Sequence, residues 1–327
     1  MAKVVYTIIP SRFEKYDVHF PADWETVNVP EGYTDAELAE ACKGADFLFV
    51  GSVHTVSAEV IKANPQLKLI QAEGVGFDKI DCDAAKELGI PVANNRGVNA
   101  EAVAEHTAAL MLAGLRRIAL NDRQYRHDGF QVAKAAHFAE GEHEIKDKVI
   151  GFAGMGAIAK EVVKRLIPWG CKFVYFDTFR PTPEVEKELG LQYMEWDEVV
   201  KVADIISMHV PVLPSTIGML GEAQFKAMKK TALVVNTARG EVIDKVALAK
   251  ALEEGEIYGA ALDVLDPEPT PADHPLLNMN KAGMDRLTLT THIGGTTDEA
   301  FTRMLKLSIA NIQRVIDGEE PVSVVNK

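Results

Sequence analysis

The chain has 327 residues, and its hydrophobic fraction of 47% and charged fraction of 25% are typical of a globular protein of about two domains. Its formal net charge of −13 argues against nucleic acid or an anionic membrane surface as the main partner, because both need a basic surface. Cys42, Cys82 and Cys171 are few, far apart and without metal-ligand spacing, which favours a reducing compartment, the cytoplasm, and predicts no metal site.

Short apolar runs alternate with helical patterns in the first hundred residues. The predicted strands are Val4–Ile9, Phe47–Val50, Lys68–Gln71 and Pro91–Ala93, and the predicted helices lie near Asp35–Cys42, Ala58–Ala63 and Asp81–Leu88. The N-terminal residues therefore read as a first strand rather than a signal peptide, and no segment is long and apolar enough to span a bilayer. This βα alternation predicts a parallel sheet covered by helices on both faces.

A long helix is predicted over Ala100–Leu115, and a polar segment of weaker periodicity, Asn121–Lys148, follows it. A second βα series has predicted strands at Val149–Ala153, Phe173–Asp177, Ile205–His209, Ala232–Asn236, Ala260–Val264 and Leu287–Thr290. The last predicted helix is Asp298–Ile316, which Gly318 ends. Two βα series imply two α/β domains with a cleft between them, and ligands in such sheets bind at the carboxyl ends of the strands.

A glycine-rich turn begins the second series. The segment VIGFAGMGAIAKEVVKRL, residues 149–166, contains Gly154-Met155-Gly156-Ala157-Ile158-Ala159, which fits G-x-G-x-x-A between a strand and a helix. Gly154 permits the tight turn, Gly156 lets the backbone approach a pyrophosphate, and Ala159 lets the helix lie close to the strand. Asp177 ends the next strand, where a carboxylate accepts hydrogen bonds from an adenosine ribose. We predict an NAD site, although the nearby Arg180 could instead pair with the 2′-phosphate of NADP.

Polar side chains stand at or just past three later strand ends, at Arg239, at Asp263 with Glu268, and at His292. An arginine matches a carboxylate with its planar fork, a histidine exchanges protons near neutral pH, and a neighbouring glutamate favours the imidazolium. Together they fit the reduction of a 2-keto acid. Taken singly, Arg239 could be a surface ion-pair partner, Glu268 a loop acid and His292 a helix cap. Two other histidines are given no chemistry: His106 on the long helix is interpreted as structural, and His274 has no evident partner.

The chain resembles the D-isomer-specific 2-hydroxyacid dehydrogenase family over nearly its whole length. The matching segments, in family order, are GVGFDKID (74–81), NNRGVNAEAVAEHTAALML (94–112), GFAGMGAIA (151–159), HVPVLPSTIGML (209–220), NTARGEVID (236–244), ALDVLDPEP (261–269) and THIGG (291–295). The resemblance implies two doubly wound parallel-sheet domains. A Rossmann cofactor domain, residues 99–295, is then inserted in a flavodoxin-like substrate domain, residues 1–98 plus 296–327, and the enzyme is a homodimer.

The same resemblance assigns site residues. The family's catalytic arginine, glutamate and histidine fall on Arg239, Glu268 and His292, and Arg239 also contacts substrate. The loop amides that bind the substrate carboxylate fall on Val75 and Gly76. Besides Gly154 and Gly156, the cofactor contacts fall on Asn95, Ala157, Ile158, Asp177, Val210, Pro211, Thr237, Ala238, Asp263, Gly294 and Gly295. We expect Gly294 and Gly295 to pass close to the nicotinamide, where a Cβ would intrude.

Departures from the family pattern concern the substrate. Asn94-Asn95-Arg96 stands where the family often has Asn-Thr-Pro, and Thr291 stands where it often has proline before the histidine. The phosphoglycerate dehydrogenase branch commonly has an arginine for the phosphate where this chain has Gly51, which weakens phosphoglycerate as the substrate. Arg96 and His54 could supply an anion site instead, and Arg96 could equally face solvent.

The sequence therefore predicts an NAD-dependent D-2-hydroxyacid dehydrogenase. It would transfer a hydride reversibly between NADH and a small anionic 2-keto acid such as hydroxypyruvate or glyoxylate. One alternative is a 3-phosphoglycerate dehydrogenase without a regulatory domain. An alternative of another class is an NAD-sensing corepressor or scaffold on the same fold, which the absence of long disordered tails disfavours.

Overall fold

The computed structural model describes residues 1–51 and 54–327, and the chain divides into two compact units. Unit 1 consists of Met1–Asn99 and Thr296–Lys327, and unit 2 consists of Ala100–Gly295. The strands are β1 Lys3–Tyr6, β2 Glu25–Asn28, β3 Phe47–Val50, β4 Leu69–Ala72, β5 Val92–Ala93, β6 Val149–Ala153, β7 Lys172–Phe176, β8 Leu191–Tyr193, β9 Ile205–Met208, β10 Leu233–Asn236, β11 Gly259–Leu262 and β12 Leu287–Leu289.

The helices are α1 Pro10–Lys15, α2 Asp35–Ala41, α3 Ala58–Lys62, α4 Cys82–Glu87, α5 Ala100–Leu115, α6 Ile118–Asp128, α7 Phe130–Glu140, α8 Ala157–Leu166, α9 Pro183–Leu189, α10 Trp196–Val202, α11 Glu222–Ala227, α12 Lys245–Glu254, α13 Lys281–Asp285 and α14 Asp298–Ile316. Short 3₁₀ helices lie at Ile167–Trp169, Gly240–Val242 and Pro275–Leu277. None of the helices in the described residues is long and apolar enough to cross a membrane.

Unit 1 is a five-stranded sheet in the order β2-β1-β3-β4-β5, with parallel pairing throughout. This is the flavodoxin-like order, which reverses direction between β1 and β3. Successive residues of β3 enter two separate cores, Phe47 and Phe49 on one face and Leu48 and Val50 on the other. The strand is therefore apolar along its whole length, because both faces of the sheet are covered.

The C-terminal segment belongs to unit 1 and is attached to it by buried polar contacts. On α14, the amide of Asn311 donates to Gln71 on β4 over 2.6 Å. Beyond that helix, the backbone N–H of Val325 donates to the carbonyl of Val92 over 2.8 Å. The last residues thus pair with the edge of β5, which would otherwise expose unpaired backbone groups.

Unit 2 is a seven-stranded sheet in the order β12-β11-β10-β9-β6-β7-β8, again with parallel pairing. The chain starts at β6, builds outward to β8, and then crosses over to β9, so the order reverses between β6 and β9. On β10, Leu233 and Val235 enter one core while Val234 enters the other. The prediction of two doubly wound α/β sheets, one Rossmann-like and one flavodoxin-like, is confirmed.

Candidate active site

Arg239 lies in a turn that a buried asparagine holds in shape. Asn236 ends β10 and is only 1% exposed. Its Oδ1 accepts a hydrogen bond from the amide of Ala238 over 2.9 Å, and its Nδ2 donates to the carbonyl of Arg239 over 2.8 Å. The half-buried Arg239 thus has a fixed backbone, with one guanidinium nitrogen donating to the carbonyl of Ala238.

Gly240 brings this turn against the loop that contains Glu268. A Cβ on Gly240 would overlap the peptide bond between Leu265 and Asp266 and would lie 2.6 Å from the carbonyl oxygen of Leu265. Only glycine fits a backbone approach of this kind. The Leu265–Glu268 loop is held from other sides as well: Lys245 donates to the carbonyl of Asp266 over 2.8 Å, and His274 contacts the same oxygen over 3.1 Å.

Glu268 and His292 form a hydrogen-bonded pair. Oε2 of Glu268 lies 2.7 Å from Nδ1 of His292, and their side chains are 39% and 46% exposed. An ionised carboxylate can only accept, so Nδ1 of His292 must donate the hydrogen. Nε2 makes no hydrogen bond within the described residues, so it is the ring nitrogen left to exchange a proton with a ligand.

His292 has a left-handed backbone, with φ of 56°, which is unfavourable for a residue with a Cβ. Asp263, buried at the end of β11, stabilises this conformation. Its carbonyl accepts from the amide of His292 over 2.7 Å, and its two carboxylate oxygens accept from the amides of Ile293 and Gly294 over 3.0 and 2.8 Å. One buried carboxylate thus fixes the loop that presents the histidine.

The same carboxylate has two further side-chain partners, Thr290 and His106. The Thr290 hydroxyl donates to Oδ1 of Asp263, and Nε2 of His106 lies 3.2 Å from that oxygen. Burial alone would raise the pKa of Asp263, but the hydrogen bonds from His106, Thr290 and the two loop amides outweigh it and hold that pKa well below its usual range. The predicted cofactor residue Asp263 is therefore a charged anchor inside unit 2, and only 3% of it is exposed.

Gly294 has a structural reason of its own to be glycine. A Cβ at this position would lie 3.0 Å from Oδ2 of Asp263 and 3.2 Å from the ring of His106. We predicted instead that a nicotinamide requires this glycine. The crowding inside unit 2 is a separate reason for a glycine here, and the sequence did not reveal it because His106 lies far away along the chain.

The glycine-rich turn has the shape that a dinucleotide needs. Gly154 has φ of 92°, and a Cβ there would lie 2.8 Å from the carbonyl oxygen of His209. Gly156 is the N-cap of α8, and a Cβ there would meet nothing within 4 Å. No side chain caps this helix, so the amides at its start, from Ala157 and Ile158 onward, are available to a pyrophosphate. The residues present therefore fit NAD.

Asp177 follows β7, and its carboxylate accepts from the amide of Met155 over 2.6 Å and from that of Phe179 over 2.8 Å. The carboxylate is thereby fixed beside the glycine-rich turn, with acceptor capacity remaining for ribose hydroxyls. Arg180, the alternative partner for a 2′-phosphate, donates to Glu186 over 2.9 Å and packs on the ring of Tyr193. Because its charge is already paired, Arg180 is less available to a 2′-phosphate, which favours NAD over NADP.

The remaining predicted contacts divide between the two units. In unit 2, Val210, Pro211 and Ala238 keep exposed surface, whereas the Thr237 hydroxyl is buried and hydrogen-bonded to Thr107. In unit 1, the buried side-chain amide of Asn95 donates to the carbonyls of Glu73 and Met304 and to the hydroxyl of Ser308. Its donors are used within unit 1, which argues against a cofactor contact through them.

The three predicted substrate residues of unit 1 lie after β4 and β5. Val75 and Gly76 are half-buried, and their amides donate no hydrogen bond within the described part of the chain, which suits an anion-binding loop. Arg96 is exposed and likewise makes no hydrogen bond or ion pair there. The described residues contain no group of three or more histidine, cysteine, aspartate or glutamate side chains able to hold a metal.

Comparison with known proteins decides the family. Residues 108–294 match the family model described as D-isomer specific 2-hydroxyacid dehydrogenase, NAD binding domain. The chain is also 35% identical over 321 residues to a glyoxylate reductase from Korarchaeum cryptofilum, covering 98% of this chain and 94% of that protein. The chain belongs to the D-isomer specific 2-hydroxyacid dehydrogenase family. It is an NAD-dependent oxidoreductase acting on a CH–OH group, as predicted.

Two further relatives of this dehydrogenase are informative. A D-3-phosphoglycerate dehydrogenase from Methanocaldococcus jannaschii is 38% identical over 301 residues, 92% of this chain but only 55% of that protein. The NAD-complexed D-isomer specific 2-hydroxyacid dehydrogenase from Lactobacillus delbrueckii ssp. bulgaricus superposes with a TM-score of 0.79 at 28% identity, covering 99% of this chain and 100% of that chain. The predictions of the family, the fold and NAD are confirmed.

Proposed function

We propose that this dehydrogenase reduces a small, unphosphorylated 2-keto acid, with glyoxylate and hydroxypyruvate as the models, and that His292 is the proton donor. The observation that supports it most directly is the 2.7 Å contact between Glu268 and Nδ1 of His292. This contact orients the ring, stabilises the imidazolium, and leaves Nε2 to deliver a proton to the developing alkoxide.

The other roles follow from the side chains available. When bound, NADH supplies the hydride. Arg239 binds the substrate carboxylate and polarises the carbonyl, for which its planar guanidinium is suited. The amides of Val75 and Gly76, which donate no hydrogen bond within the described residues, are suited to bind an anion, which supports unit 1 as the substrate domain and unit 2 as the NAD domain. Three free cysteines fit a cytoplasmic location.

The direct test is His292→Gln. We expect unchanged NADH binding and a kcat lower by about 10²- to 10⁴-fold, the usual contribution of a positioned general acid. Glu268→Gln keeps the geometry but removes the charge, so kcat should fall by less than in His292→Gln. The same substitution should shift the pH profile of turnover toward lower pH. Unchanged turnover in His292→Gln would refute the assignment.

The preference for an unphosphorylated substrate comes from the charges of unit 1. Gly51 has no side chain, and the space where its Cβ would lie is occupied by the ring of His54, whose Nδ1 would be 3.0 Å away. Burial lowers the pKa of His54, so this ring is neutral at pH 7. Arg12 directs one guanidinium nitrogen to both carboxylate oxygens of the buried Glu73, at 2.7 and 2.9 Å. Neither His54 nor Arg12 thus offers a charge for a phosphate.

Phosphoglycerate remains the second candidate because of the similarity to the Methanocaldococcus enzyme. Turnover of phosphohydroxypyruvate and hydroxypyruvate should be compared in the wild type and in Arg96→Ala. We expect hydroxypyruvate to be preferred and both substrates to be affected equally, since Arg96 is exposed. A selective loss of phosphohydroxypyruvate turnover in Arg96→Ala would instead support the phosphorylated substrate.

We further propose that two copies associate through α6 and α7. These helices leave Tyr125, Phe130 and Phe138 exposed by 55%, 54% and 73%, and α6 has no buried residue. Clustered apolar side chains of this size are costly in water and are typical of interfaces. Phe138→Asp should convert a dimer into a monomer in sedimentation velocity, whereas Val246→Asp, at an apolar position on α12 that is 63% exposed, should not. A wild-type monomer would refute the proposal.

A further inference from the structure

We infer that His106, on α5, is a positioning residue for the proposed proton donor. This rests on the assignment of His292 above. The imidazole of His106 is 19% exposed, and its Nε2 lies 3.0 Å from the Thr290 hydroxyl and 3.2 Å from Oδ1 of Asp263. It therefore contacts Thr290, which precedes the loop bearing His292, and Asp263, whose carboxylate accepts from the amides of that loop.

The hydrogen positions in this cluster follow from counting. The ionised Asp263 can only accept, so the Thr290 hydroxyl must give its single hydrogen to Oδ1. The Thr290 oxygen then has only lone pairs left for His106, so Nε2 of His106 is protonated and donates. Its hydrogen is shared between Thr290 and Asp263.

This donation bears on the catalytic loop through one carboxylate. Asp263 accepts from the amides of Ile293 and Gly294, and its carbonyl accepts from the amide of His292. His106 adds a side-chain donor to the same carboxylate, 3.2 Å from Oδ1, and its ring also limits the space beside Gly294. Without it, the buried carboxylate would lack one donor and the left-handed backbone of His292 would be less firmly held.

Two substitutions separate positioning from simple packing. His106→Phe fills the space without a donor, and His106→Gln restores an N–H donor near the position of Nε2. Loss of a hydrogen bond to a charged group typically changes an equilibrium or rate constant by about ten- to hundredfold. We therefore expect kcat to fall by this factor in His106→Phe. KM and NADH binding should change by less than about threefold, and His106→Gln should recover most of the loss.

A double-substitution cycle with His292→Gln provides the decisive test. If His106 acts through His292, then adding His106→Phe to His292→Gln should lower kcat by less than about twofold further. Equal losses in both backgrounds would overturn the inference, as would full activity of His106→Phe. A folded His106→Phe protein with a normal kcat but a lower Tm would assign His106 to packing alone. If His292→Gln itself keeps full turnover, it is the proposed function that fails.

Discussion

Both units have charged residues just past the ends of their parallel strands, but these residues are used differently in the two units. In unit 2, His292 and Glu268 remain 46% and 39% exposed, and the buried Asp263 holds the loop that bears His292. In unit 1, Glu73 follows β4, but its side chain is only 2% exposed and is ion-paired with Arg12. The guanidinium of Arg12 also packs on the ring of Phe301, 4.5 Å from its centre. A charged residue at a strand end thus indicates a site only when buried partners hold its loop and leave its functional atoms uncovered.

The largest expected effect is that of Gly240→Ala. The added methyl would overlap backbone of the Leu265–Asp266 peptide, which cannot rotate away as a side chain can. We expect a loss of about 3 kcal/mol or more in the free energy of unfolding, together with a loss of kcat of about hundredfold or more, because a displacement of about 1 Å in a reacting group costs about this much. Chemical denaturation and steady-state kinetics measure the two effects.

Gly156→Ala is the matched control, since its Cβ would meet nothing within 4 Å. This variant should unfold like the wild type and instead bind NADH more weakly. If Gly240→Ala were as stable as Gly156→Ala, the close approach between the turn of Arg239 and the loop of Glu268 would not be required.

The second prediction concerns unit 1, where removing a charge should lower stability rather than turnover. Arg12→Met leaves the carboxylate of Glu73 buried without its partner, and we expect a loss of about 2–3 kcal/mol in the free energy of unfolding, less than for a fully buried pair because Arg12 is partly exposed. Adding Glu73→Gln should restore part of it. Stability unchanged in Arg12→Met, measured by urea unfolding, would remove the distinction between the two units.

Much of this architecture was predictable from periodicity. The long helix α5 and the last helix α14 have the predicted bounds: α5 is a long apolar run with buried residues on most of its faces, and α14 has a regular apolar face. The strands β2 and β8 were missed: both are short, lie at sheet edges, and have exposed residues that blur the pattern. The polar segment after α5 forms α6 and α7, whose large apolar residues Tyr125, Phe130 and Phe138 are exposed and so do not mark a buried face.

The site was harder to predict than the fold. Strand ends drew attention to Arg239, Glu268 and His292, but no local pattern shows that His274 would be 2% exposed and directed at the carbonyl of Asp266, or that His106 would meet Asp263. Such contacts join residues far apart in sequence, so only the folded chain reveals them. For Thr291, which is exposed, the structure gives no functional reason.

The third prediction is a pH dependence that belongs to unit 2. His209 is half-buried, with its Nε2 2.8 Å from the buried Ser207 hydroxyl, and desolvation lowers its pKa to about 3, whereas in the unfolded chain it is about 6.5. As the pH falls below about 6.5, the unfolded chain takes up a proton that the native chain does not, so stability falls, by up to about 2 kcal/mol at pH 5. His209→Gln should therefore lose less stability than the wild type between pH 7 and pH 5 in urea unfolding. Equal losses would contradict a native His209 ring that stays neutral down to pH 5.

The smallest expected effect concerns the cofactor. Arg180 is 53% exposed and its charge is paired with Glu186, which also accepts from the Tyr175 hydroxyl. Glu186→Gln should release Arg180 toward a 2′-phosphate, but Asp177 still repels that phosphate, so kcat/KM for NADPH should rise by less than about tenfold while that for NADH stays unchanged.

Asp177→Ser adds the second half of this test. Combined with Glu186→Gln, it removes the carboxylate that accepts from the amide of Met155 and excludes the phosphate. The gain in kcat/KM for NADPH, expressed as a free energy, should then exceed the sum of the gains from the two single substitutions. The reason is that Arg180 can approach a phosphate only when both acids are gone. If Glu186→Gln alone made the enzyme prefer NADPH, Asp177 would not control the choice, and pairing of Arg180 would be the main determinant.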